Sequence, residues 1–464
     1  MERLKKNYIG DKAFYVAVLS LTIPMMAQQG VTSVVNFLDN IMVGRLGTEA
    51  MSGVSIVNQL MFVYQVFIFG CVSAAGIFSA QFFGKKDIEG YKNAYRFKLI
   101  LGVIMTFLAL IVFNAFGDQL IKFYINRGES EIGNLELAFD TARKYLNVML
   151  IGLPPFMLTQ CYSSSLREAG ETKVPMYASF IALFTNLILN YILIFGKLGF
   201  EPMGALGAGI ATSISRYIEV GFIILIVKKD KIRYFYFNHI YETMKITNEL
   251  VKKIFAKGMP LLLNEVLWSI GMATIMQNYS TRGLHVMAAM NISSTISSIF
   301  MIILFALGSA IQILVGQHLG AGEIEEAIET NRKLLVFTLV SNIFVGLILI
   351  SLAKFVPLMY NTETAVRDLA TSLIVIYGIA IPMHAYNHGI YFGLRSGGKT
   401  ILTLCFDSFY LWIITVPLSY FLCRHSQVGI IGVYAIVQFA DLIKVVFGTI
   451  VIKSRKWAIN IIND

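Results

Sequence analysis

Asp39 stands alone in an apolar stretch, between Phe37-Leu38 and Ile41-Met42. Its neighbours one helical turn away are Val35, Asn36, Met42 and Val43, so no intrahelical ion pair accounts for the charge. An ionisable group inside a membrane helix costs roughly 2.5 to 3.5 kcal/mol on insertion scales and needs a reason. One reason is to bind a cation or a proton; the plainer one is an acid held at a helix end by water. Asn186 and Asn190 are one turn apart and share a helix face. Their amides could bind an ion or simply bond neighbouring helices. Glu265 is followed on its own face by Trp268 and Met272, an aromatic and polarizable wall that suits an organic cation. At helical spacing the same residues also serve as packing. His384, His388 and Tyr391 form an i, i+4, i+7 stripe. An imidazole takes a proton near pH 6.5, and no third ligand for a transition metal is evident; core histidines are the plainer reading. Arg216 with Glu219, and Asp441 with Lys444, are spaced to neutralise each other as structural pairs. Asp407 has no intrahelical partner and is a secondary candidate in the second half of the chain.

The elements that must hold these residues are long apolar blocks. The chain has 464 residues, 56% hydrophobic and 14% charged, with mean hydropathy +0.68. A soluble protein carries roughly 25% charged residues. Twelve blocks are long enough to cross a bilayer as helices: 13–43, 51–82, 97–117, 140–165, 174–196, 205–228, 254–281, 287–317, 333–356, 369–393, 401–423 and 429–452. They lack the alternation of membrane-barrel strands. The net charge of +10 is spread unevenly. With both termini cytoplasmic, the inner segments hold 26 Lys and Arg and the outer loops ten, the bias expected of inward-facing segments. Basic residues that border membrane helices argue against a nucleic-acid partner. The four cysteines, Cys71, Cys161, Cys405 and Cys423, lie in apolar blocks without metal-ligand spacing and read as buried free thiols. The polar, basic residues 1–12 and the long first block do not resemble a cleavable signal peptide.

The blocks are written twice. Pro24, Gly47, Met51, Gln81, Gly84 and Arg96 recur 236 residues later as Pro260, Gly283, Met287, Gln317, Gly320 and Arg332. Pro154, Leu166-Arg167 and Gly170 recur 228 later as Pro382, Leu394-Arg395 and Gly398. This predicts an all-α integral membrane fold of twelve transmembrane helices in two pseudo-symmetric six-helix lobes. The lobes are 1–228 and 254–464, joined by a polar cytoplasmic linker at 229–253. An even number of spans per copy makes the repeats parallel. Tyr234-Phe235-Tyr236-Phe237 in the linker suits the lipid interface. The acidic loop 118–139 suggests a short outer helix. The glycines of Gly44-x-x-Gly47 and of the two Leu-Arg-x-x-Gly segments suggest tight turns. Glu265 and Asp39 are not repeat mates. They follow their matched prolines by five and fifteen residues, a difference in depth of roughly 15 Å.

The chain resembles the multidrug and toxic compound extrusion (MATE) family over nearly its whole length. The likeness rests on Asp39…Val43-Gly44-x-Leu46-Gly47, Gly204-x-x-Gly207-Ala208-x-x-Ala211-Thr212, and Leu-Arg-x-x-Gly at 166–170 and 394–398. It also rests on Asn186-x-x-x-Asn190-Tyr191, Asn264-Glu265-x-x-Trp268-Ser269-x-Gly271 and Asp441-Leu442-Ile443-Lys444. The resemblance implies a V-shaped exporter that moves organic cations outward in exchange for inward Na+ or H+. It implies that Asn186, Asn190 and Thr212 lie near Asp39, an all-oxygen cation-binding set that suits Na+ or a protonated carboxyl in a hydrogen-bond network. The chain departs from relatives that carry Asp at position 190, a helix-7 glutamate at 268, or an ion-binding aspartate at 384. Glu265, Trp268, Met272, His384, His388 and Tyr391 are the candidate substrate-binding residues.

The function expected is a secondary active antiporter for lipophilic organic cations, with no cofactor beyond its coupling ion and no catalytic residues. Its partners would be a cationic amphiphilic substrate and membrane lipid, in the cell (inner or plasma) membrane, with one chain sufficient as a monomer. A flippase for a lipid-linked substrate is the alternative, but it calls for a more basic centre to hold phosphate. An intramembrane enzyme using His384 and His388 is a third, and no nucleophile pairs with them in sequence.

Overall fold

The computed structural model describes residues 8–125, 135–360 and 362–463, whose regular structure is all helical with no strand among them. The first half holds α1 (Lys12–Gly44), α2 (Thr48–Lys85), α3 (Ile88–Ile125), α4 (Leu135–Ile151), α5 (Leu153–Glu168), α6 (Lys173–Phe195) and α7 (Gly204–Lys229). The second holds α8 (Asn248–Ser280), α9 (Leu284–Ala321), α10 (Ile324–Leu352) and α11 (Thr364–Ser396), and then two irregular spans. The helices run beyond the apolar blocks because their polar ends continue the same hydrogen-bonded ladder. Their outward faces carry large apolar side chains such as Phe107, Leu225, Ile413 and Ile450, exposed as lipid contact requires.

Eleven helical segments among the described residues are long and apolar enough to cross a bilayer. The block expected as a single helix over 140–165 is instead α4 and α5, which meet at Gly152. Pro154 and Pro155 follow at once; two successive residues without an N–H cannot continue the α-helical ladder. The matching Pro382 has no second proline beside it, and α11 stays continuous. The repeat is visible in the backbone at the turns. Gly47 and its mate Gly283 have φ of +111° and +118°, and Gly170 and Gly398 have +85° and +67°. A side chain would strain all four. Residues 118–125 and 135–139 prolong α3 and α4, and the rest of the expected outer helix, 126–134, lies outside the described residues.

The eleventh span opens as α12 (Thr400–Leu404), widens into π-helix at Cys405–Phe409 and Leu411–Thr415, and closes as α13 (Val416–His425). The twelfth breaks at Ala440-Asp441 between α14 (Ile430–Phe439) and α15 (Leu442–Lys453). Cys405 is exposed in the π-helical stretch, a correction to the expectation of four buried thiols: it shares the outward face with Ile401 and Phe409, one turn to either side. The other three are buried and free.

The chain forms two compact units. One comprises Pro24–Ser79 and Ile88–Val251, the other Met1–Ile23, Ala80–Asp87 and Lys252–Asp464. The linker belongs to the first of these. Tyr234, Tyr236 and Phe237 are buried and only Phe235 is exposed, so the expected lipid-interface placement is corrected for three of the four. Tyr236 packs edge-on to Tyr91, Phe237 packs against Tyr95 and Tyr162, and the Tyr241 hydroxyl meets that of Tyr95 at 3.0 Å. Arg233 clasps Glu171 through two hydrogen bonds of 2.8 Å, and that carboxylate raises the pKa of the guanidinium further.

In the second unit the chain after α15 becomes a strap. Gln81 donates to the carbonyls of Ser396 (3.0 Å) and Ile459 (3.1 Å) and accepts from the Ile461 N–H (2.9 Å). Asn460 donates to the Gly320 carbonyl at 3.3 Å, and Arg455 pairs with Glu325 at 3.0 Å. Gly84 lies directly against the backbone of Gln317 and Gly320 against that of Gln81, so the two copies of Gln-x-x-Gly grip each other reciprocally. Trp457, 1% exposed, anchors the strap in the core formed by Val18, Ile311, Leu319, Leu335 and Phe406. Trp457→Ala should destabilise the protein by about 3 to 5 kcal/mol. Thermal unfolding of the purified protein in detergent checks this, and an unchanged midpoint would mean that the strap is not held by this ring.

Candidate functional site

In the first unit, α1, α6 and α7 bring four of the expected residues together. One amide hydrogen of Asn190 Nδ2 goes to Asp39 Oδ1 and the other to Asn186 Oδ1, the latter at 3.0 Å. Asn186 Nδ2 donates in turn to Thr212 Oγ1 at 3.2 Å. The one-turn spacing of the two asparagines makes this chain of bonds possible. Asn186 and Asn190 are buried, while Asp39 and Thr212 are half-buried. Asn190 Oδ1 is buried and has no hydrogen-bond partner among the described residues. A buried carbonyl oxygen left unpaired is costly, and beside a carboxylate it is an acceptor free to coordinate a cation. The set offers only oxygen acceptors from carboxylate, amide and hydroxyl, the chemistry that fits Na+ or a shared proton.

Arg216 acts on Asp39 electrostatically. That guanidinium is already committed, 3.3 Å from Glu219 and stacked 5.2 Å from the Phe156 ring centre. Among the described residues Asp39 forms no ion pair of its own. Glu219 also accepts from Ser179 Oγ at 2.8 Å, and Gln28 Nε2 donates to that same serine oxygen at 3.2 Å. The pairing of Arg216 with Glu219 expected from their spacing is therefore present, inside a separate polar chain.

The second unit gathers its residues differently. Tyr391 and Arg395 both act on the Glu265 carboxylate. Asn264 Nδ2 donates to Tyr391 Oη at 3.3 Å. His388 stacks on Tyr391, with centroids 6.0 Å apart, and meets Phe305 and Phe392 edge-on; its Nε2 has no hydrogen-bond partner among the described residues. Glu265, His388 and Tyr391 are thus neighbours. His384 belongs to another chain of bonds, with Nε2 2.8 Å from Gln438 Oε1 and Nδ1 3.4 Å from Asp441. Trp268 packs on the apolar cluster around Ile275 and Leu411, and Met272 is 44% exposed. No cluster of three metal-ligating His, Cys, Asp or Glu occurs among the described residues.

Sequence spacing missed the partners that come from other helices. Lys444, expected to neutralise Asp441, makes its close ion pair with Asp407 at 3.0 Å. Asp441 still acts on Lys444 electrostatically, as its spacing predicts, and its carbonyl accepts from the Val445 N–H at 3.2 Å on the same helical ladder; the closer carboxylate comes from the eleventh span, which spacing within the twelfth cannot reveal. Lys98 of α3, fully buried, is ion-paired to Glu168 of α5 and donates to Ser164 and Ser165 at 3.0 Å each. The only sequence signal for that pair was an acid and a base at the matching ends of two apolar blocks.

Comparison with known proteins fits this architecture. The chain is 25% identical over 455 residues to the probable multidrug resistance protein NorM of Thermotoga maritima, covering 95% of this chain and 93% of that protein. It is 24% identical to the probable multidrug resistance protein YoeA of Bacillus subtilis, covering 89% and 88%. Among solved structures, a MOP superfamily transporter from Pyrococcus furiosus superposes with a TM-score of 0.82 at 21% identity, over 97% of this chain and 98% of that one. A MATE protein solved in complex with MaD3S gives 0.84 at 21% identity with the same coverage. These likenesses establish the all-helical, two-copy membrane fold. The MatE family model matches residues 24–192 and 260–421. Because the two matched stretches begin at Pro24 and Pro260, where the sequence itself starts to repeat, and together take in well over half its length, the chain belongs to the MatE family and is a multi-pass membrane transporter, not an enzyme.

Proposed function

We propose that the protein is a secondary antiporter that exports lipophilic organic cations in exchange for Na+ or H+ taken up at Asp39; relatives named as probable multidrug resistance proteins support an export role. The observation that carries this reading is the Asp39 carboxylate. It is bonded to neutral Asn190, has no ion pair among the described residues, and lies in a set whose Asn190 Oδ1 is left without a partner. Such a set gains most from a small positive visitor. For exchange, ion and drug must favour different conformations, since a ligand shifts an equilibrium only by its differential affinity. Asn186 and Thr212 hold Asn190 in place, and Asn190 presents its amide to the acid. Glu265, Tyr391 and His388, an acid beside two aromatic faces, form the group best suited to a bulky cation in the second unit. The excess of basic residues in the segments read as inner supports the cell membrane as the location, with both termini on the cytoplasmic side. One chain holds both copies and works as a monomer.

The test is ethidium-like dye movement in proteoliposomes with an imposed Na+ gradient at constant pH, and separately with a pH gradient in Na+-free medium. Dye should move against at least one gradient and stop when that gradient is dissipated. Movement indifferent to both would sink the antiport reading.

A further inference from the structure

The second unit has carboxylates of its own, and they are not free. Asp407 points from the π-helical stretch Cys405–Phe409. Its Oδ1 accepts from Lys444 Nζ at 3.0 Å and its Oδ2 from Asn264 Nδ2 at 3.2 Å. Asn264 is itself fixed, because its Oδ1 accepts from Ser408 Oγ at 2.7 Å. The Lys444 ammonium, on a residue 9% exposed, also lies 5.2 Å from the centre of the Phe406 ring and 5.6 Å from that of Tyr410. Asp441, at the break in the twelfth span, acts on it electrostatically and holds His384 at 3.4 Å. Glu265 and His388 also feel the Asp407 charge, and Arg395 acts on both of them.

A carboxylate at 3.0 Å, a second one acting electrostatically and two aromatic faces around one ammonium are the surroundings a bound cation would have. In the first unit the comparable carboxylate, Asp39, has only neutral bonding partners. The difference between the halves is a covalently attached positive charge. We infer that Lys444 is a tethered cation, which fills a Na+-accepting carboxylate site in the second unit and so confines cation exchange to Asp39. A lysine cannot leave its site, so its charge contributes nothing to exchange while it stays there. Removing it leaves Asp407 half-buried, bonded to Asn264 but without an ion pair, and a small mobile cation is the natural replacement. The confinement clause rests on the reading of Asp39 as the exchanging acid; the tethered-cation clause does not.

The experiment uses the full chain in detergent, with Asp39→Asn as background so that the first site cannot contribute. Binding of radiolabelled Na+ and thermal unfolding in NaCl against choline chloride are measured at one fixed alkaline pH. The Asp39→Asn protein should bind no saturable Na+. Adding Lys444→Ala should create a saturable Na+ site, about one per chain, and Na+ should raise its unfolding midpoint relative to choline by mass action. Adding Asp407→Asn to that protein should abolish both effects. The volume-preserving pair Lys444→Met with Asp407→Asn should fold and ignore Na+. A Lys444→Ala protein that gains no Na+ binding, or is equally unstable in both salts while the neutral pair folds, overturns the tethered-cation inference. Saturable Na+ binding by Asp39→Asn with Lys444 intact overturns the confinement. Dye export that survives Asp39→Asn would instead count against the Asp39 reading alone.

Discussion

Asp39→Asn should reduce gradient-driven dye export to the level of empty vesicles while the protein stays folded. The substitution keeps the shape of the side chain and removes only its charge. An amide at position 39 can still hydrogen-bond Asn190, which holds it from α6, and Asn186 and Thr212 keep their own bonds. No ion pair is broken, since Arg216 is held by Glu219. The fold therefore loses nothing, and the cost of keeping a carboxylate in this surrounding disappears, so the unfolding midpoint should stay level or rise. What is lost is the difference in affinity that lets an ion drive the cycle. Coupling energies of about 1 to 3 kcal/mol correspond to roughly 5- to 150-fold changes in affinity. Dye flux against the driving gradient should fall by at least the upper part of that range, with size-exclusion profile and unfolding midpoint as controls for folding. Normal export by a folded Asp39→Asn protein would remove Asp39 from the mechanism. Asn190→Ala makes a graded companion: it deletes the amide that binds Asp39 but leaves the acid, so export should weaken without vanishing.

The residues that could be read from the sequence are those whose reason lies in their own helix. Long apolar blocks follow from the need to satisfy backbone groups in lipid. The repeat shows in Pro24 and Pro260 because both copies keep the same turns, at Gly47 with Gly283 and Gly170 with Gly398. Asp39 stood out because its own helical neighbours are neutral. Its grouping with Asn186, Asn190 and Thr212 came from family likeness, and the structure brings these four side chains together. Partners from distant segments were not legible. Nothing in a single helix says that Lys444 turns to Asp407 or that Lys98 meets Glu168. The division of the fourth span depends on two adjacent prolines acting together. The aromatic run at 234–237 has the same composition whether it faces lipid or core; Tyr91, Tyr95 and Tyr162 from other helices decide between them.

Lys98→Leu should be among the most damaging single changes in the first half, and pairing it with Glu168→Ser should repair most of the damage. The Lys98 side chain is fully buried, and its ammonium is shared among Glu168, Ser164 and Ser165. Removing the lysine takes the ion-pair partner from a buried carboxylate. Breaking a buried pair from one side costs about 3 to 5 kcal/mol, whereas replacing both members with well-packed neutral residues is often neutral or stabilising. The chain carries its own version of that replacement. At the repeat offsets of 236 and 228, Lys98 corresponds to Leu334 and Glu168 to Ser396, both buried and uncharged in the second copy. The same architecture thus folds in one half with the ion pair and in the other without it. Unfolding midpoints and folded yields should rank wild type and Lys98→Leu/Glu168→Ser close together, with Lys98→Leu far below and Glu168→Ser, which strands the ammonium instead, also low. A double variant as unstable as the worse single would show that the pair supplies specific packing rather than mutual neutralisation. Two mild single variants would show that water reaches the pair.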